Sequence, residues 1–322
     1  MTLALILLGS LLVWPQVSKK MDLISSSMKN TLKPKGLQAS IDMTKVQFFS
    51  EDEKGQPFTI SSDQITEVDV QNKIVQLINP KGEMTFSSGV KIFSSSPEAF
   101  FYQNTQIVDF KKVVDVLSDN GYQAKTSDVV VDHKNQLAYS NSPLVVRGEK
   151  IDLDSIGFYV RKNGEEFDFY GPVRIELKTP KKNIVIIAEK IVEVRQKAQT
   201  ITAFSNVIAD DGVNKIYSEK LTAYFNQTGK NQYVLRSVRA KENVRIQTPD
   251  EEITGKEAFY DVIKERAVVT ENVVAKRSEG NVQADKAVID MKKGTSLLET
   301  NNTETKQRVK GTIFPTQLKK RE

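Results

Sequence analysis

The stretch ENVVAKRSEGNVQADKAVIDM, residues 271–291, decides the fold because its apolar residues change rhythm in mid-run. Val282 and Ala284 alternate with polar neighbours, and from Ala287 onward the alternation continues one residue out of phase. A shift of one residue turns every later side chain of a β-strand to the other face of the sheet. The polar joint at Asp285 is therefore a predicted bulge or corner, which re-aims the residues that follow it.

The same change of phase recurs along the chain. Counted from a polar joint residue, apolar or small residues lie three and one positions before it and two and four positions after it. Three further joints, at Asp154, Glu219 and Lys256, have these positions filled by Ile151, Leu153, Ile156 and Phe158, by Ile216, Ser218, Leu221 and Ala223, and by Ile253, Gly255, Ala258 and Tyr260. An internal repeat of this kind indicates a repetitive architecture.

An asparagine marks the same register independently. It stands thirteen residues before four of the joints, as Asn141, Asn206, Asn243 and Asn272. The last three begin an Asn-Val pair, whereas Ser-Pro follows Asn141. Strands that bend at a common joint and stack side by side give a folded sheet with a continuous apolar interior, and we predict this arrangement.

Many of the predicted interior positions are small, among them Ser218, Gly255 and Ala258. A core filled by its own side chains needs bulk to reach native packing density, so small residues leave width for a ligand. Small residues also fit the tight inner side of a corner. The sequence leaves both interpretations open.

The rest of the chain is typical of an all-β protein. Short alternating segments rich in Val, Ile, Thr, Tyr and Phe run from about residue 41 to 314, separated by turn pairs such as Asn-Gly and Asp-Gly; this pattern predicts a sandwich, barrel or roll. The one exception is FKKVVDVLSDNG from Phe110, whose helical spacing and Asn-Gly stop favour a short helix. TPKK at 179–182 is the expected junction between two β-rolls, 41–178 and 179–318, with a flexible tail at 319–322.

The N-terminus carries an uncharged segment, TLALILLGSLLVW from Thr2 to Trp14. As a helix it is too short to span a bilayer core of about 30 Å, but with the next few residues its length nearly matches that thickness. Trp14 suits a membrane interface. We expect residues 1–18 to be an uncleaved membrane anchor and 19–40 a linker; a cleaved signal peptide and a buried helix are the alternatives.

Composition excludes several classes of protein. The 322 residues contain no cysteine, so disulfides and thiolate metal sites are excluded. The net charge of +5 is dispersed among acidic residues, which favours a solvated surface over a nucleic-acid partner. The single histidine, His133, lies at a predicted strand end, and no nucleophile elbow, P-loop or dinucleotide motif is present. We expect no enzyme activity, no cofactor and no metal site.

Several segments resemble the lipopolysaccharide-transport proteins LptC and LptA, which share the OstA-like β-jelly-roll fold. GQPFTISSDQ (55–64) is similar to the first strand of that family, as are the Asn-Val strands and QADKAVID. Residues 125–160 resemble the body of LptC, and QRVKGTIFPTQL (307–318) resembles the closing strand of LptA. The N-terminal half of the chain thus resembles LptC and the C-terminal half resembles LptA, which implies two β-roll or β-taco modules.

The resemblance implies that lipopolysaccharide acyl chains bind in the apolar trough of the roll. Phe58, Ile60 and Tyr260 match groove-facing positions of the family. The change of phase adds the remaining groove residues, which are Ile65, Val244, Ile246, Ala258, Val273, Ala275, Val282, Ala284, Ala287 and Ile289. Each of these positions is equally compatible with a packed core.

The resemblance also implies that partners join by strand addition at sheet edges. The expected incoming edge is MTKVQFFS (43–50), with Val46 and Phe48, and the outgoing edge is Val309, Thr312, Ile313 and Phe314. The implied partners are the inner-membrane lipopolysaccharide ABC exporter and LptA- or LptD-like rolls, with the body in the periplasm. The rival interpretation is a membrane-anchored β-repeat scaffold or envelope sensor with a closed core and no lipid cargo.

Overall fold

The computed structural model describes residues 42–51, 57–85, 89–132, 134–178, 183–229, 232–278, 280–300 and 310–313. The chain divides into two compact units, residues 1–170 and 171–322. The predicted junction at 179–182 lies outside the described residues, as do the predicted anchor, the linker, the C-terminal tail and His133. No helix in the described part is long and apolar enough to cross a membrane.

The first unit is an antiparallel sheet. Its strands are β1 Asp42–Glu51, β2 Pro57–Asp69, β3 Ile74–Ile78, β4 Lys81–Thr85, β5 Lys91–Ser95, β6 Glu98–Tyr102, β7 Ile107–Ser118, β8 Gln123–Asp132, β9 Leu137–Ser140, β10 Leu144–Arg147, β11 Ile151–Ser155, β12 Gly157–Arg161 and β13 Glu166–Tyr170. Each of the long strands β2, β7 and β8 pairs with two short strands on the same side, one along its first half and one along its second half. The sheet therefore has two limbs that meet along a corner.

The second unit repeats this plan with longer strands. They are β14 Val173–Lys178, β15 Asn183–Ala188, β16 Ile191–Arg195, β17 Thr200–Asp210, β18 Lys215–Gly229, β19 Gln232–Gln247, β20 Glu252–Asp261, β21 Arg266–Arg277, β22 Gly280–Asp290, β23 Thr295–Glu299 and β24 Lys310–Ile313. β17 to β22 pair in sequence order. β15 and β16 flank β17 on its two halves, and β24 and β23 flank β22 in the same way.

The predicted corner is confirmed, and its geometry is specific. Between β21 and β22 the register shifts so that Glu271 and Asn272 lie opposite the single residue Asp285. Glu271 has φ 64° and Asn272 has φ 56°, a left-handed conformation that asparagine tolerates better than most residues. The extra residue is thus on the strand that carries the asparagine, and the phase change falls on its partner, β22.

The same two-for-one bulge with an asparagine occurs twice more in the second unit. Ser205 and Asn206 on β17 lie opposite Glu219, and Glu242 and Asn243 on β19 lie opposite Lys256. All four bulged residues have φ between 46° and 68°. Each bulge asparagine is therefore thirteen residues before its joint because one hairpin connects the two positions, which then lie opposite each other on adjacent strands. The bulges of successive strands align into one corner.

The short helix expected from Phe110 is wrong, because these residues belong to β7. A register shift between Phe110 and Val113, with Lys112 at φ 66°, widens the spacing between Phe110 and the next buried residue, Val114. Spacing of four imitates the periodicity of a helix. The Asn-Gly stop is a turn in which the Gly121 N–H donates to the Ser118 carbonyl at 3.1 Å.

One joint of the repeat is misplaced. Ile156, expected in the interior, is 52% exposed, whereas Ser155 is buried. β11 ends at Ser155 and β12 begins at Gly157, so Ile156 is itself the joint residue. Its N–H donates to the Tyr170 carbonyl at 3.0 Å, which holds the chain at this corner.

The inner side of the corner is crowded. A Cβ atom added to Gly255 would lie 2.5 Å from Val269 Cγ1 and 3.1 Å from the Thr270 carbonyl oxygen. Ser218, at the equivalent position of β18, is 4% exposed, and its Oγ has no hydrogen-bond partner among the described residues. Small residues directly before a joint are thus explained by the corner itself and not by space for a ligand.

Asn243→Ala tests the left-handed bulge. Alanine at φ 54° is strained, so we expect the free energy of unfolding to fall by about 1–2 kcal/mol. Asn243→Gly relieves that strain and stays within about 1 kcal/mol of the parent. Urea unfolding followed by circular dichroism measures both variants, and an alanine variant as stable as the glycine variant would contradict this account of the corner.

Gly255→Ala tests the crowding at the inner side. Overpacking against Val269 is expected to destabilise the chain by about 1–3 kcal/mol. Val269→Ala also destabilises because it opens a cavity, but it removes the atom that the new Cβ would meet. The double variant should therefore lose less than the sum of the two single losses, by more than about 0.5 kcal/mol. Strictly additive losses in urea unfolding would show that the two positions do not clash.

Candidate functional site

The interior of the second unit is lined by two limbs that meet at the corner. The first limb comprises 184–188, 207–210, 215–218, 244–247, 252–255, 273–277 and 280–284, and the second limb comprises 191–195, 200–204, 220–225, 235–241, 257–261, 266–270 and 286–290. On each limb alternate residues point inward, which gives rows of side chains parallel to the corner. Exposure of these rows decides whether the interior is filled or open.

The rows next to the corner are buried and small. On the second limb the row crosses β17 to β22 through Ala203, Leu221, Ala240, Ala258, Val269 and Ala287, all at most 7% exposed. On the first limb the buried residues include Ala188, Val207, Val244 and Val273. Alanine dominates on the second limb, so the interior there presents short side chains to the space between the limbs.

The next row on the second limb is only half-buried over four strands. It runs in register from Ile201 through Ala223 and Val238 to Tyr260. Its continuation, Ala267 and Ile289, is buried. Across the interior on the first limb, the corresponding residues Ile186, Ala209 and Ile216 are also half-buried. We call these seven half-buried residues the mouth, since each lies one inward position farther from the corner than a buried residue of the same strand.

Tyr260 is the titratable residue of the mouth. Its pKa is raised, chiefly because partial burial penalises the phenolate and further because Glu265 and Asp211 are nearby. Asp211 follows β17 at the margin of the first limb, whereas Tyr260 belongs to the second. Tyr260 on the second limb is therefore within electrostatic reach of the margin of the first limb.

The interior of the first unit has a different filling. Its rows contain large aromatic side chains that are at most 3% exposed, namely Phe101, Phe110, Phe158, Phe167 and Phe169. The second row from the corner is as deeply buried as the first, with Val75, Val108, Val131 and Val160 at most 2% exposed. In the first unit this part of the interior is a packed core.

The structure places twelve of the thirteen predicted groove residues on inward rows. Nine are buried: Ile60, Ile65, Val244, Ile246, Ala258, Val273, Ala275, Ala287 and Ile289. Tyr260, Val282 and Ala284 are half-buried. Phe58 lies on β2 opposite Met84. Ten of the thirteen belong to the second unit and share one interior, whereas Phe58, Ile60 and Ile65 belong to the first.

Six residues of the mouth were not among the predicted groove residues: Ile186, Ile201, Ala209, Ile216, Ala223 and Val238. The repeat had placed Ile216 and Ala223 at interior positions, and a signal for two more was present. Ile201 and Val238 each stand five residues before a bulge asparagine, as the inward Ala267 does. Counting backward from the asparagine, as well as forward from the joint, finds them.

The predicted edge strands lie at the ends of the described pairing. Among the described strands β1 pairs with β2 alone, and β24 pairs with β22 alone. Val46 is half-buried and Thr312 is exposed. Phe48 lies opposite Ile60 and Ile313 opposite Gly280, whereas Val309 and Phe314 lie outside the described residues.

The described residues contain no cluster of three or more side chains suited to hold a metal ion. Their charged groups are paired mainly on the outer surface. At the corner, Lys256 Nζ lies 3.1 Å from Glu271 Oε2, and this hydrogen bond raises the pKa of the lysine. The interior of the second unit can therefore contribute apolar contact and shape.

Comparisons with known proteins give two family matches. A model described as "Lipopolysaccharide-assembly, LptC-related" matches residues 1–178. A model described as "LptA/(LptD N-terminal domain) LPS transport protein" matches residues 186–310. Comparison with curated protein sequences gives no match.

Among solved structures, one match is the crystal structure of LptH from Pseudomonas aeruginosa. Its title describes the LptA homologous periplasmic component of the conserved lipopolysaccharide transport device. The alignment has a TM-score of 0.36 and 16% sequence identity, and it covers 42% of this chain and 97% of that chain.

Proposed function

Because the chain belongs to the lipopolysaccharide-assembly, LptC-related family, whose model covers residues 1–178 of 322, we propose that it is a non-enzymatic lipopolysaccharide transport protein of the periplasm. In this proposal residues 1–18 anchor it in the inner membrane beside the lipopolysaccharide ABC exporter. The second unit receives the acyl chains of the lipid and passes them toward the outer membrane.

The observation that carries the proposal is the half-buried mouth above the alanine-lined rows. An interior closed around its own side chains would bury the second row as it buries the first. Here Ile201, Val238 and Tyr260 remain half-buried although they point inward. Apolar surface left beside a continuous interior is what a hydrocarbon chain would cover.

Burial of hydrocarbon gives enough free energy for such binding. Each buried methylene contributes about 0.8 kcal/mol, so a chain of about ten methylenes gains about 8 kcal/mol before the costs of ordering. No directional polar contact is required along the rows. A lipid held this way can slide from one set of apolar contacts to the next, which suits transfer better than a site built on fixed hydrogen bonds.

The second unit is the better candidate for the cargo site. In the first unit Phe158, Phe167 and Phe169 occupy the interior and are at most 1% exposed, so a lipid there would have to displace them. In the second unit Tyr260, Val282 and Ala284, three of the ten predicted groove residues, are half-buried, and a lipid reaches them without such displacement. That Phe58, Ile60 and Ile65 also contact cargo stays a prediction.

Partners are proposed to join at the two edge strands. β1 and β24 each have a single strand partner in the described part of the chain, and an unpaired edge accepts a strand from another chain through backbone hydrogen bonds. We propose that β1 receives the exporter side through Val46 and Phe48. The outgoing edge, Val309, Thr312, Ile313 and Phe314, would receive an LptA- or LptD-like roll.

The alternative function is a membrane-anchored envelope scaffold or sensor without lipid cargo. The filled interior of the first unit favours it, because a scaffold needs only a packed core. The two functions differ in whether hydrocarbon enters the second unit.

A photo-crosslinking residue at Tyr260 tests the cargo site. In a cell that makes lipopolysaccharide, irradiation should give lipopolysaccharide adducts at position 260, because this position faces the mouth. The same residue in place of Lys256 is the matched control, since Lys256 lies four residues away at the outer side of the corner and is 61% exposed. Adducts at neither position, with the protein folded in the envelope, would support the scaffold alternative.

Cysteine at Thr312 tests the outgoing edge. The chain has no cysteine of its own, so Thr312→Cys introduces the only thiol. A maleimide–benzophenone crosslinker attaches to this thiol and, on irradiation in cells, inserts into a C–H bond of a neighbour, so it should join this exposed edge position to an LptA- or LptD-like roll. Phe259→Cys is the control, because Phe259 is 37% exposed on β20, which pairs with a strand on both sides and has no free edge. Equal crosslinking at both positions would argue against strand addition at β24.

A further inference from the structure

We propose that one margin of the mouth holds the anionic headgroup of the cargo. This margin, the basic margin, consists of Ile263, Lys264, Met291, Lys292 and Lys293 in the turns after β20 and β22. The inference rests on the proposed function, because it places phosphate groups outside a mouth whose interior holds the acyl chains. It adds an orientation for the lipid that apolar rows alone cannot supply.

The two turns are built alike and touch each other. Asp261 Oδ1 accepts the N–H groups of Ile263 and Lys264, both at 3.1 Å. Asp290 Oδ1 accepts those of Lys292 and Lys293 at 3.2 and 3.0 Å. The Met291 N–H donates to the Glu265 carbonyl at 2.9 Å, which fixes one turn beside the other.

The lysines of these turns are available to an external anion. Lys264 Nζ is 3.7 Å from Asp261 Oδ2, and Lys293 Nζ is 3.9 Å from Asp290 Oδ2, with the lysine side chains 73% and 75% exposed. Ion pairs this long and exposed contribute little, and both carboxylates already accept turn N–H groups. A phosphate could therefore replace them as the partner of the lysines.

The opposite margin has the reverse balance of charge. Its cations are paired more closely, with Lys215 Nζ 3.1 Å from Asp210, Lys276 Nζ 3.4 Å from Glu252 and Arg277 2.7 Å from Glu251. In the described residues of the turns after β17, β19 and β21, carboxylates outnumber cations by two, with Asp210, Asp211, Asp250, Glu251 and Glu252 against Lys215, Lys276 and Arg277. Around the basic margin cations outnumber carboxylates by two, with Arg236, Lys264, Arg266, Lys292 and Lys293 against Asp261, Glu265 and Asp290.

The basic margin is continuous with the mouth. The Val262 N–H donates to the Arg236 carbonyl at 3.1 Å, next to the mouth residues Val238 and Tyr260. Ile263 is 82% exposed and Met291 is 37% exposed at the tips of the turns. Exposed aliphatic groups among lysines match the boundary of an anionic amphiphile, where the first carbons of each acyl chain meet the phosphorylated head.

The test compares two lipids that differ only in phosphate. The full-length protein is titrated with bisphosphorylated lipid A and with the same lipid A after both phosphates are removed, and displacement of a fluorescent fatty acid reports binding. The parent should bind the phosphorylated form at least fivefold more tightly. The triple variant Lys264→Gln, Lys292→Gln, Lys293→Gln should lose this preference and keep its affinity for the dephosphorylated form.

The matched control neutralises three lysines on the outer face at the corner, Lys220→Gln, Lys241→Gln and Lys256→Gln, and should keep the preference. Equal binding of both lipids by the parent, or a preference that survives in the triple variant, overturns the inference and leaves the proposed function standing. If the parent binds neither lipid, both fall. A third outcome also overturns the inference: the triple variant loses binding to phosphatidylglycerol vesicles, while the parent shows no preference between the two forms of lipid A. The basic margin would then bind a membrane surface.

Discussion

Backbone hydrogen bonding at the corner is the constraint on which the second unit depends. A long antiparallel strand can fold over only if its partners bend at the same place, since otherwise the ladder between them breaks. Two residues opposite one achieve this at Glu219, Lys256 and Asp285. Because the bulge residues have a positive φ, the constraint favours an asparagine in each bulge. Because the opposite strand has one residue fewer at the bulge, the same constraint also produces the change of phase in the sequence of that strand.

The corner also determines what the interior can contain. Next to it the limbs are so close that Gly255 has no room for a methyl group, and the adjoining row is mostly alanine. Farther away the limbs diverge, and the two units use that divergence differently. The first fills it with phenylalanine, which gives a packed core, whereas the second leaves Ile201, Ala223, Val238 and Tyr260 half-buried. One backbone plan thus supports a filled and an open interior, and the side chains of the second row decide between them.

Sequence patterns predicted the all-β class and the corners because both follow from local rules, namely alternation and positive φ. They failed at Lys112, where a bulge without an asparagine widened the spacing and imitated a helix. They also failed at Ile156, where the joint lies one residue later than expected and the preceding Asn141 lacks the positive φ of the bulge asparagines. The mouth could not be predicted from a joint alone, because exposure of the second row depends on how far the opposite limb has diverged. The difference in charge between the margins could not be predicted from the sequence either. The turns that contain residues 264 and 292 lie side by side only because β21 pairs with both β20 and β22.

An open apolar interior poses a problem of direction. Hydrocarbon in a uniform trough has no preferred orientation, because apolar contacts depend on area and not on angle. A charged headgroup removes this symmetry if the two margins differ. Carboxylates are in excess in the described turns after β17, β19 and β21, whereas exposed lysines lie in the turns after β20 and β22. Phosphate would be repelled from the first margin and attracted to the second, so every lipid would enter with the same side toward the same limb. Electrostatic attraction at the exposed margin is weak and screened by salt, and for that reason it can orient a lipid without holding it back from the next roll.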